Sequence, residues 1–222
     1  APYFFSVDRN SGVTVNEKMN FGADSSFAGS VTAQGNQDGN EVGDFYYAPP
    51  STYLALCTSN LPEPAIALPG EHFNTIIYDD GAGAKTGVGF QPDFVLFKSR
   101  GSAYDFKFVD AIRGLYWSVM SPNQAVQIED TTGLTAFGAD GFTVGADTDY
   151  SDTTGDGMVA WSWKGDGVSG GTLNENGNRD SQVNVNTTAG FSIVIWENNN
   201  TTGATVGHGL SQAPDMILNK TT

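Results

Sequence analysis

The sequence has little cysteine, little histidine and few positive charges, and each shortage excludes a class of function. One cysteine, Cys57, permits no intramolecular disulfide and no cysteine-based zinc site. Ten Lys and Arg residues stand against 25 Asp and Glu residues, which gives a formal net charge of −15. Because phosphate binding needs clustered basic side chains, we expect no nucleic acid partner. No apolar run approaches the ~20 residues that span a bilayer, so we expect no membrane insertion.

The titratable residues form no pattern that is typical of an active site. The only two histidines are His72 and His208, and no HExxH motif, Ser/His/Asp set or Cys/His pair can be assembled around them. The segment around His208 reads Gly-His-Gly, which favours a turn over a ligand. The carboxylates are scattered, so no glycosidase pair can be named. We therefore predict no catalytic, cofactor-binding or metal-ligating residue, no cofactor and no enzymatic activity.

A glycine-rich segment at residues 81–87 superficially resembles a phosphate-binding loop, with the sequence GAGAKTG. A Walker motif needs glycine directly before the lysine, whereas Ala84 precedes Lys85, and it needs a helix to follow. We predict a strand after this segment instead. Residues 79–89 are therefore interpreted as a glycine-rich hairpin turn and not as a nucleotide site.

An acidic segment with the sequence DTDYSD resembles the first half of a calcium loop. Its candidate ligands are Asp147, Asp149, Ser151 and Asp152. An EF-hand loop requires glycine at its sixth position and glutamate at its twelfth, where this chain has Asp152 and Met158. A solvated acidic turn is favoured, because Asp is an ordinary turn residue. A looser calcium site on a loop between strands stays open as the alternative.

The residues that are abundant favour strands joined by tight turns. The chain has 28 Gly together with 14 Phe, 8 Tyr and 4 Trp, and this combination argues against long helices. Apolar and aromatic patterning predicts strands at residues 73–78, 93–98, 141–144, 158–164, 181–185 and 191–196. Residues 106–116 fit either a strand or one short helix. The fold class is therefore predicted to be all-β, built from modular β-sandwiches.

Two tryptophans in one predicted strand are consistent with two interpretations: a face that fills a core, or an aromatic platform for sugar stacking. Val159, Trp161 and Trp163 alternate with smaller residues and point to one face. We predict that this face fills a core, since large aromatic residues are usually buried. Cys57 lies in an apolar segment and is predicted to be a small buried hydrophobe.

Part of the sequence is repeated, and this repeat organises the whole chain. Residues 73–100 correspond to residues 191–222. The matched pairs are Phe73 and Phe191, Tyr78 and Trp196, Gly89 and Gly209, Phe90 and Leu210, Pro92 and Pro214, Asp93 and Asp215, and Lys98 and Lys220, at offsets that grow from 118 through 120 to 122. An internal repeat is typical of modular chains that span distance or present surfaces.

The repeat and the prolines predict four segments. Residues 1–48 are expected to hold the last strands of a β-sandwich, at the short apolar runs YFFSV (3–7) and DFYYA (44–48), with one extended loop between them. Residues 49–70 are expected to form a proline-rich linker. Residues 71–189 are expected to form a complete β module. Residues 190–222 are expected to be the first strands of a second copy of that module. We interpret the chain as an ordered piece of a longer polypeptide.

Several phrases of the sequence resemble a known module. The segments GVGFQPDFVLFKSR, AWSWKGDG, VNVNTTAGFSIVIW and TVGHGLSQAPDMILNK resemble a repeated β module of tailed-phage virion proteins, often from marine phages. There the module occurs in tail-fibre-like and other appendage proteins. The segments MNFGADSSFAGSVTAQGNQDGN and DFYYAPPSTYLALCTSNLPEP resemble the end of a SPRY-like, concanavalin-type sandwich that often precedes it. The resemblance covers nearly the whole chain.

The resemblance implies a structural or adhesive role on the virion surface, in a tail fibre, a spike or another appendage. It implies that the partners are other virion proteins, copies of the same chain in a homotrimer, and glycans of the host cell surface. It transfers no active-site residue to this sequence. Two alternatives stay open: a carbohydrate-binding module of a secreted protein, and a capsid decoration or head-fibre protein.

Overall fold

The structure is a computed structural model that describes residues 18–121, 126–152, 155–197 and 202–220. The chain divides into two compact units, Ala1–Ala65 and Ile66–Thr222, which are described separately below. None of the helices among the described residues is long and apolar enough to cross a membrane.

The described part of the first unit is largely irregular. Its β structure is a single bridge between Asn36 and Phe45, and its one described helix is a 3-10 turn at Thr58–Asn60. The expectation of a strand at residues 44–48 is therefore wrong, since backbone pairing there stops at Phe45. The strand expected at residues 3–7 lies outside the described residues.

Asp38 is the organising residue of the first unit. Its carboxylate accepts hydrogen bonds from the backbone N–H of Ala55 (2.7 Å) and from Asn60 Nδ2 (2.7 Å). The N–H groups of Asn40 and Val42 also donate to it, at 2.8 Å and 3.1 Å. Burial raises the pKa of Asp38, but these donors outweigh burial and hold the pKa at about 2. The first half of the predicted linker is thus fastened to the first unit.

The described part of the second unit is built from strands, which confirms the all-β prediction. The strands are β1 Phe73–Tyr78, β2 Gly83–Thr86, β3 Phe94–Ser99, β4 Phe106–Asp110, β5 Trp117–Ser121, β6 Ile128–Glu129, β7 Leu134–Gly138, β8 Gly141–Val144, β9 Met158–Trp163, β10 Thr172–Asn174, β11 Ser181–Asn186 and β12 Phe191–Ile195, with a 3-10 turn at Pro69–Glu71. The six strands predicted from patterning correspond to β1, β3, β8, β9, β11 and β12. The ambiguous segment at residues 106–116 begins as strand β4 and ends in a turn.

The strands form three antiparallel sheets. The first has the order β1-β9-β3-β4-β5-β6, the second β2-β8-β7 and the third β10-β11-β12. The main core lies where side chains of the first two sheets meet, as in a β-sandwich. Phe97 of β3 is central to it, with its ring 5.2 Å from Phe142 of β8 and 5.1 Å from Tyr150.

The sequence predicts a turn at the glycine-rich segment of residues 79–89, but the structure shows more than a turn there. It contains strand β2, which pairs with β8 over its four residues. Lys85 of β2 points inward, where its Nζ atom lies 2.7 Å from Asp80 Oδ1 and 4.9 Å from the centre of the Tyr78 ring. The inward position of this short strand is therefore filled by a lysine, so the sequence shows no apolar alternation there.

The sequence predicts that Trp161 and Trp163 fill a core, but the main core contains neither of them. Strand β9 turns Met158 and Ala160 toward that core, where both are buried. Its two tryptophans lie on the opposite face of the six-stranded sheet and are half-buried. Alternation showed which residues share a face but not which face is the inner one, because the inner residues Met158 and Ala160 are less bulky than the tryptophans on the outer face.

Candidate functional site

The third sheet crosses the boundary that the sequence predicts between residues 189 and 190. Strand β11 ends the predicted first module, and β12 begins the predicted second copy. The two strands pair antiparallel over five positions, from Asn186 with Phe191 to Gln182 with Ile195. The start of the second copy is therefore hydrogen-bonded to the end of the first module, and we name this region the junction.

An aromatic cluster packs the junction against the six-stranded sheet. The Phe191 ring stacks on Trp163 with centroids 6.0 Å apart and planes 20° apart. The ring centroid of Phe94 lies 5.3 Å from that of Trp163 and 6.0 Å from that of Phe191. The ring centroid of Phe73 lies 4.8 Å from that of Trp163. These distances are typical of favourable aromatic pairs. The first residue of the second copy thus contacts the first residue of β3 and the last residue of β9.

A buried polar network joins β11 to the start of β3. The carboxylate of Asp93 accepts hydrogen bonds from Gly165 N–H (2.8 Å) and from Asn184 Nδ2 (3.2 Å), and Asn184 Oδ1 accepts the N–H of Asp166 (3.0 Å). Burial raises the pKa of the Asp93 carboxyl, and the donors offset only part of this effect. A Cβ atom at Gly165 would lie 1.5 Å from Asn184 Oδ1, so this close approach requires glycine.

A second asparagine fastens the end of β11 to the entry of the module. Asn186 Nδ2 lies 2.9 Å from His72 Nδ1 and donates to the carbonyl of Lys164 at 3.1 Å. Asn186 Oδ1 accepts the N–H of Ala189 at 3.0 Å, which shapes the turn into β12. His72 therefore has a structural role, because its side chain contacts Asn186 of the junction.

The sequence repeat is matched by an equivalent contact in both copies. In the first copy, Asn74 Nδ2 donates to the carbonyl of Val88 at 3.0 Å. In the second copy, Ser192 Oγ donates to the carbonyl of His208 at 2.6 Å. Ser192 corresponds to Asn74 and His208 to Val88 at the repeat offsets. The two copies therefore share this contact between the opening strand and the following loop.

A shallow cleft of about 320 Å³ lies beside the third sheet. Its lining includes Ile112, Arg113, Trp117, Gln127, Gln182 and Ile195. Arg113 is held by an ion pair with Asp110. An indole ring beside amide and guanidinium donors provides a stacking surface and hydrogen-bonding groups, which suits a sugar ring.

The sequence predicts that the acidic turn DTDYSD is solvated, but in the structure this turn is packed. Asp147 Oδ1 accepts the N–H of Asp149 at 2.7 Å, and Asp149 Oδ2 forms an ion pair of 2.7 Å with Lys107. Tyr150, which follows Asp149, is buried in the core. Burial raises the pKa of Asp147, as does its hydrogen bond with Asp130. In the part of the chain that the structure describes, no group of three His, Cys, Asp or Glu side chains could hold a metal ion.

The two remaining predicted positions have modest structural roles. His208 lies in an irregular segment, where its Nδ1 atom accepts the N–H of Leu210 at 3.1 Å. The turn predicted around His208 is therefore not assigned in the structure, where residues 207–210 are irregular. Cys57 is a half-buried free thiol, so it is less buried than the sequence predicted.

Sequence reasoning missed two asparagines that organise the junction. Asn184 and Asn186 are buried in β11, where strand alternation would ordinarily place apolar residues. The repeated Val-Asn pattern of this strand was the available signal. Buried amides at a period of two indicate a strand whose inner face is hydrogen-bonded and not apolar.

Comparison with known proteins gives one family match. No curated protein and no solved structure matches the chain. A family model matches residues 68–222, on both sides of the predicted module boundary and including the whole junction. The chain therefore belongs to the family described as a domain of unknown function, DUF7483.

Proposed function

We propose that this chain is a structural and adhesive part of a tailed-phage virion, in a tail fibre, a spike or another surface appendage. The observation that carries the proposal is the junction, where one sheet continues from the first module into the start of the second copy. The sequence resemblance to repeated virion modules supports the same function.

The junction supplies the mechanical property that an appendage needs. Modules joined by a flexible linker can swing freely, because a coil of polar residues has no fixed direction. Here the pairing of β11 with β12 over five residue positions and the stacking of Phe191 on Trp163 fix the start of one copy on the preceding module. A series of such junctions would give a stiff rod, which can present loops at a distance from the particle.

The first test is where the chain lies on the native particle. Antibodies against the purified chain, visualised with gold in electron micrographs of the phage, should label projecting appendages. The same antibodies absorbed beforehand with the chain serve as the control. Label on the capsid shell would support the decoration or head-fibre alternative. Absence of specific label on virions would contradict the proposal.

Association of the chain with itself is the second expectation. Phage fibres are commonly homotrimers, so light scattering of the purified chain should give three times the mass of one 23.5 kDa chain. A mass of one chain at all concentrations would count against the trimer while leaving the location on the particle to the antibody experiment.

A carbohydrate-binding module is the second candidate function, and the cleft beside Trp117 favours it. A glycan array should then show saturable binding that Trp117→Ala weakens about tenfold, since stacking on an aromatic ring contributes on the order of 1 kcal/mol. Trp161→Ala is the comparison variant, because this tryptophan belongs to the alternative sugar-stacking face on the outside of the six-stranded sheet, and a loss of binding in Trp161→Ala alone would also contradict a site at the cleft. Equal losses in both variants would contradict a site at the cleft.

A further inference from the structure

Lys107 of β4 is a buried lysine that is held against a carboxylate. Its Nζ atom donates to Asp149 Oδ2 at 2.7 Å and lies 5.7 Å from the centre of the buried Tyr150 ring. The side chain of Lys107 is 4% exposed, whereas that of Asp149 is 25% exposed, so one edge of the pair reaches solvent. An amine and a carboxyl are therefore held in contact at the margin of the main core.

A second lysine of the same unit is buried but has a different setting. Lys85 Nζ also lies 2.7 Å from a carboxylate, that of Asp80, but the Asp80 side chain is 66% exposed and lies close to Lys85 in the sequence. Lys107 lies in the six-stranded sheet, and Asp149 follows strand β8 of the second sheet. The pair of Lys107 and Asp149 therefore connects the two layers of the sandwich.

A second carboxyl next to this pair is a source of protons. Asp147 Oδ1 accepts the N–H of Asp149 at 2.7 Å. Burial raises the pKa of Asp147, as does its hydrogen bond with Asp130. Asp147 therefore holds a proton at a higher pH than an ordinary aspartate, and a carboxyl of this kind can act as a general acid and base.

We propose that Lys107 and Asp149 condense into a side-chain amide that joins the two sheets covalently. The new bond forms between Lys107 Nζ and Asp149 Cγ, and one C–O bond of the carboxyl breaks. Of the three hydrogens on the ammonium group, one stays on the amide nitrogen and two leave with the carboxyl oxygen as water. Asp147 gives a proton to the leaving oxygen and recovers one from Nζ, so its own protonation is unchanged at the end. The proposal rests on this contact and its burial, and it does not depend on the proposed function.

Burial favours the amide over the ion pair. Two charges in a largely buried site carry a desolvation cost that an uncharged amide of similar size does not carry. Condensation removes both charges, and the water leaves through the exposed edge of Asp149. The chain has one cysteine and can form no intramolecular disulfide, so this amide would supply the covalent constraint that a disulfide gives to other domains.

Mass spectrometry of the purified chain tests the proposal directly. The intact mass, measured after denaturation, should lie about 18 Da below the mass of the sequence, because one water is lost. Trypsin should not cleave after Lys107 and should release residues 101–113 joined to residues 114–164. Cyclisation of an aspartate that precedes glycine also loses one water, so the branched peptide identifies the amide. The full sequence mass, or a deficit that maps to an Asp-Gly pair, would overturn the proposal.

Two lysine variants locate the amide. Lys107→Arg keeps a positive charge opposite Asp149, but a guanidinium stays protonated and does not attack a carboxyl, so this variant should have its full sequence mass. Lys85→Arg is the matched control and should keep both the mass deficit and the branched peptide. A deficit that persists in Lys107→Arg, or is lost in Lys85→Arg, would refute the assignment. The measurement on the wild-type chain decides the proposal even where a variant fails to fold.

The role of Asp147 has its own variant. Asp147→Asn keeps an acceptor for the N–H of Asp149 but cannot exchange a proton. The linked fraction, sampled soon after synthesis, should fall about tenfold or more relative to the wild type, while the urea midpoint of the unlinked chain should match that of Lys107→Arg. Linked fractions equal to those of the wild type at every time would contradict proton transfer by Asp147.

Discussion

Residues 94–98 and 216–220 occupy equivalent positions of the repeat and have different structures. The first segment, FVLFK, forms the central strand β3 and is paired on both edges. The second, MILNK, has a similar apolar character but is irregular, and all of its residues except the half-buried Lys220 are exposed. The difference between them lies in the partners: β9 and β4 flank the first segment, and no described strand flanks the second. Strand formation here depends on cross-strand packing more than on local propensity.

The two strands that open the repeats show the same dependence on partners. Strand β1 pairs with β9 in the six-stranded sheet, whereas its equivalent β12 pairs with β11 in the three-stranded sheet. Both keep the contact of their second residue with the following loop, through Asn74 in one copy and Ser192 in the other. This contact is therefore retained while the strand partner changes.

The largest expected effect separates Phe97 from its equivalent, Asn219. Phe97 is fully buried between Phe142 and Tyr150, so Phe97→Ala should lower the free energy of unfolding by about 3–5 kcal/mol. Asn219→Ala changes an exposed side chain and should stay within about 0.5 kcal/mol of the wild type.

Urea unfolding followed by tryptophan fluorescence measures this difference. All four tryptophans of the chain lie in the second unit, so the signal reports on that unit alone. A loss above about 1 kcal/mol for Asn219→Ala would mean that the second copy is packed in solution. That result would remove the contrast between the two segments.

A smaller effect is expected at the first residue of each repeat. Phe191 is half-buried against Trp163 and Phe94, so Phe191→Ala should lower the free energy of unfolding by about 1–2 kcal/mol. Phe73→Ala should cost less than about 1 kcal/mol, because Phe73 is 40% exposed and its one described ring contact is with Trp163. Urea unfolding by the same fluorescence signal compares the two variants. If Phe191→Ala leaves the free energy of unfolding unchanged, the stacking does not stabilise the junction.

Much of the sheet structure could be predicted because six strands carry clear apolar and aromatic patterning. Strand β2 could not, since its inner position holds Lys85, whose charge is satisfied by Asp80 and by the carbonyl of Gly81. The inner face of β9 was assigned wrongly because its inner residues, Met158 and Ala160, are less bulky than the tryptophans behind them.

The sequence predicted only part of the junction. The repeat identified Phe191 as the start of a second copy, but it gave no sign that β12 pairs with β11. That pairing depends on the buried amides of Asn184 and Asn186, whose partners come from distant parts of the chain. Tertiary contacts decide which strands pair in this way, and the apolar pattern of a single strand does not specify its partner.

The smallest expected effect is a difference in pH dependence between Asp93 and its equivalent, Asp215. Burial raises the pKa of Asp93 above its ordinary value of 3.8, so the folded chain holds this proton more tightly than the unfolded chain. The resulting contribution to stability is fully present below pH 3.8 and is lost as the pH rises through the raised pKa. The slope is at most about 1.4 kcal/mol per pH unit for a single proton.

Asp93→Asn removes this titration, and Asp215→Asn is the matched control because Asp215 is exposed. Unfolding free energies measured in urea from about pH 4 to neutrality should fall less steeply for Asp93→Asn than for the wild type. Asp215→Asn should follow the wild type, whatever other carboxyls contribute. The comparison uses slopes, since the new amide places a donor opposite either Gly165 N–H or Asn184 Nδ2 and lowers stability at every pH. Identical slopes for Asp93→Asn and the wild type would mean that Asp93 titrates as an exposed carboxyl, and the two copies would then be equivalent at this position.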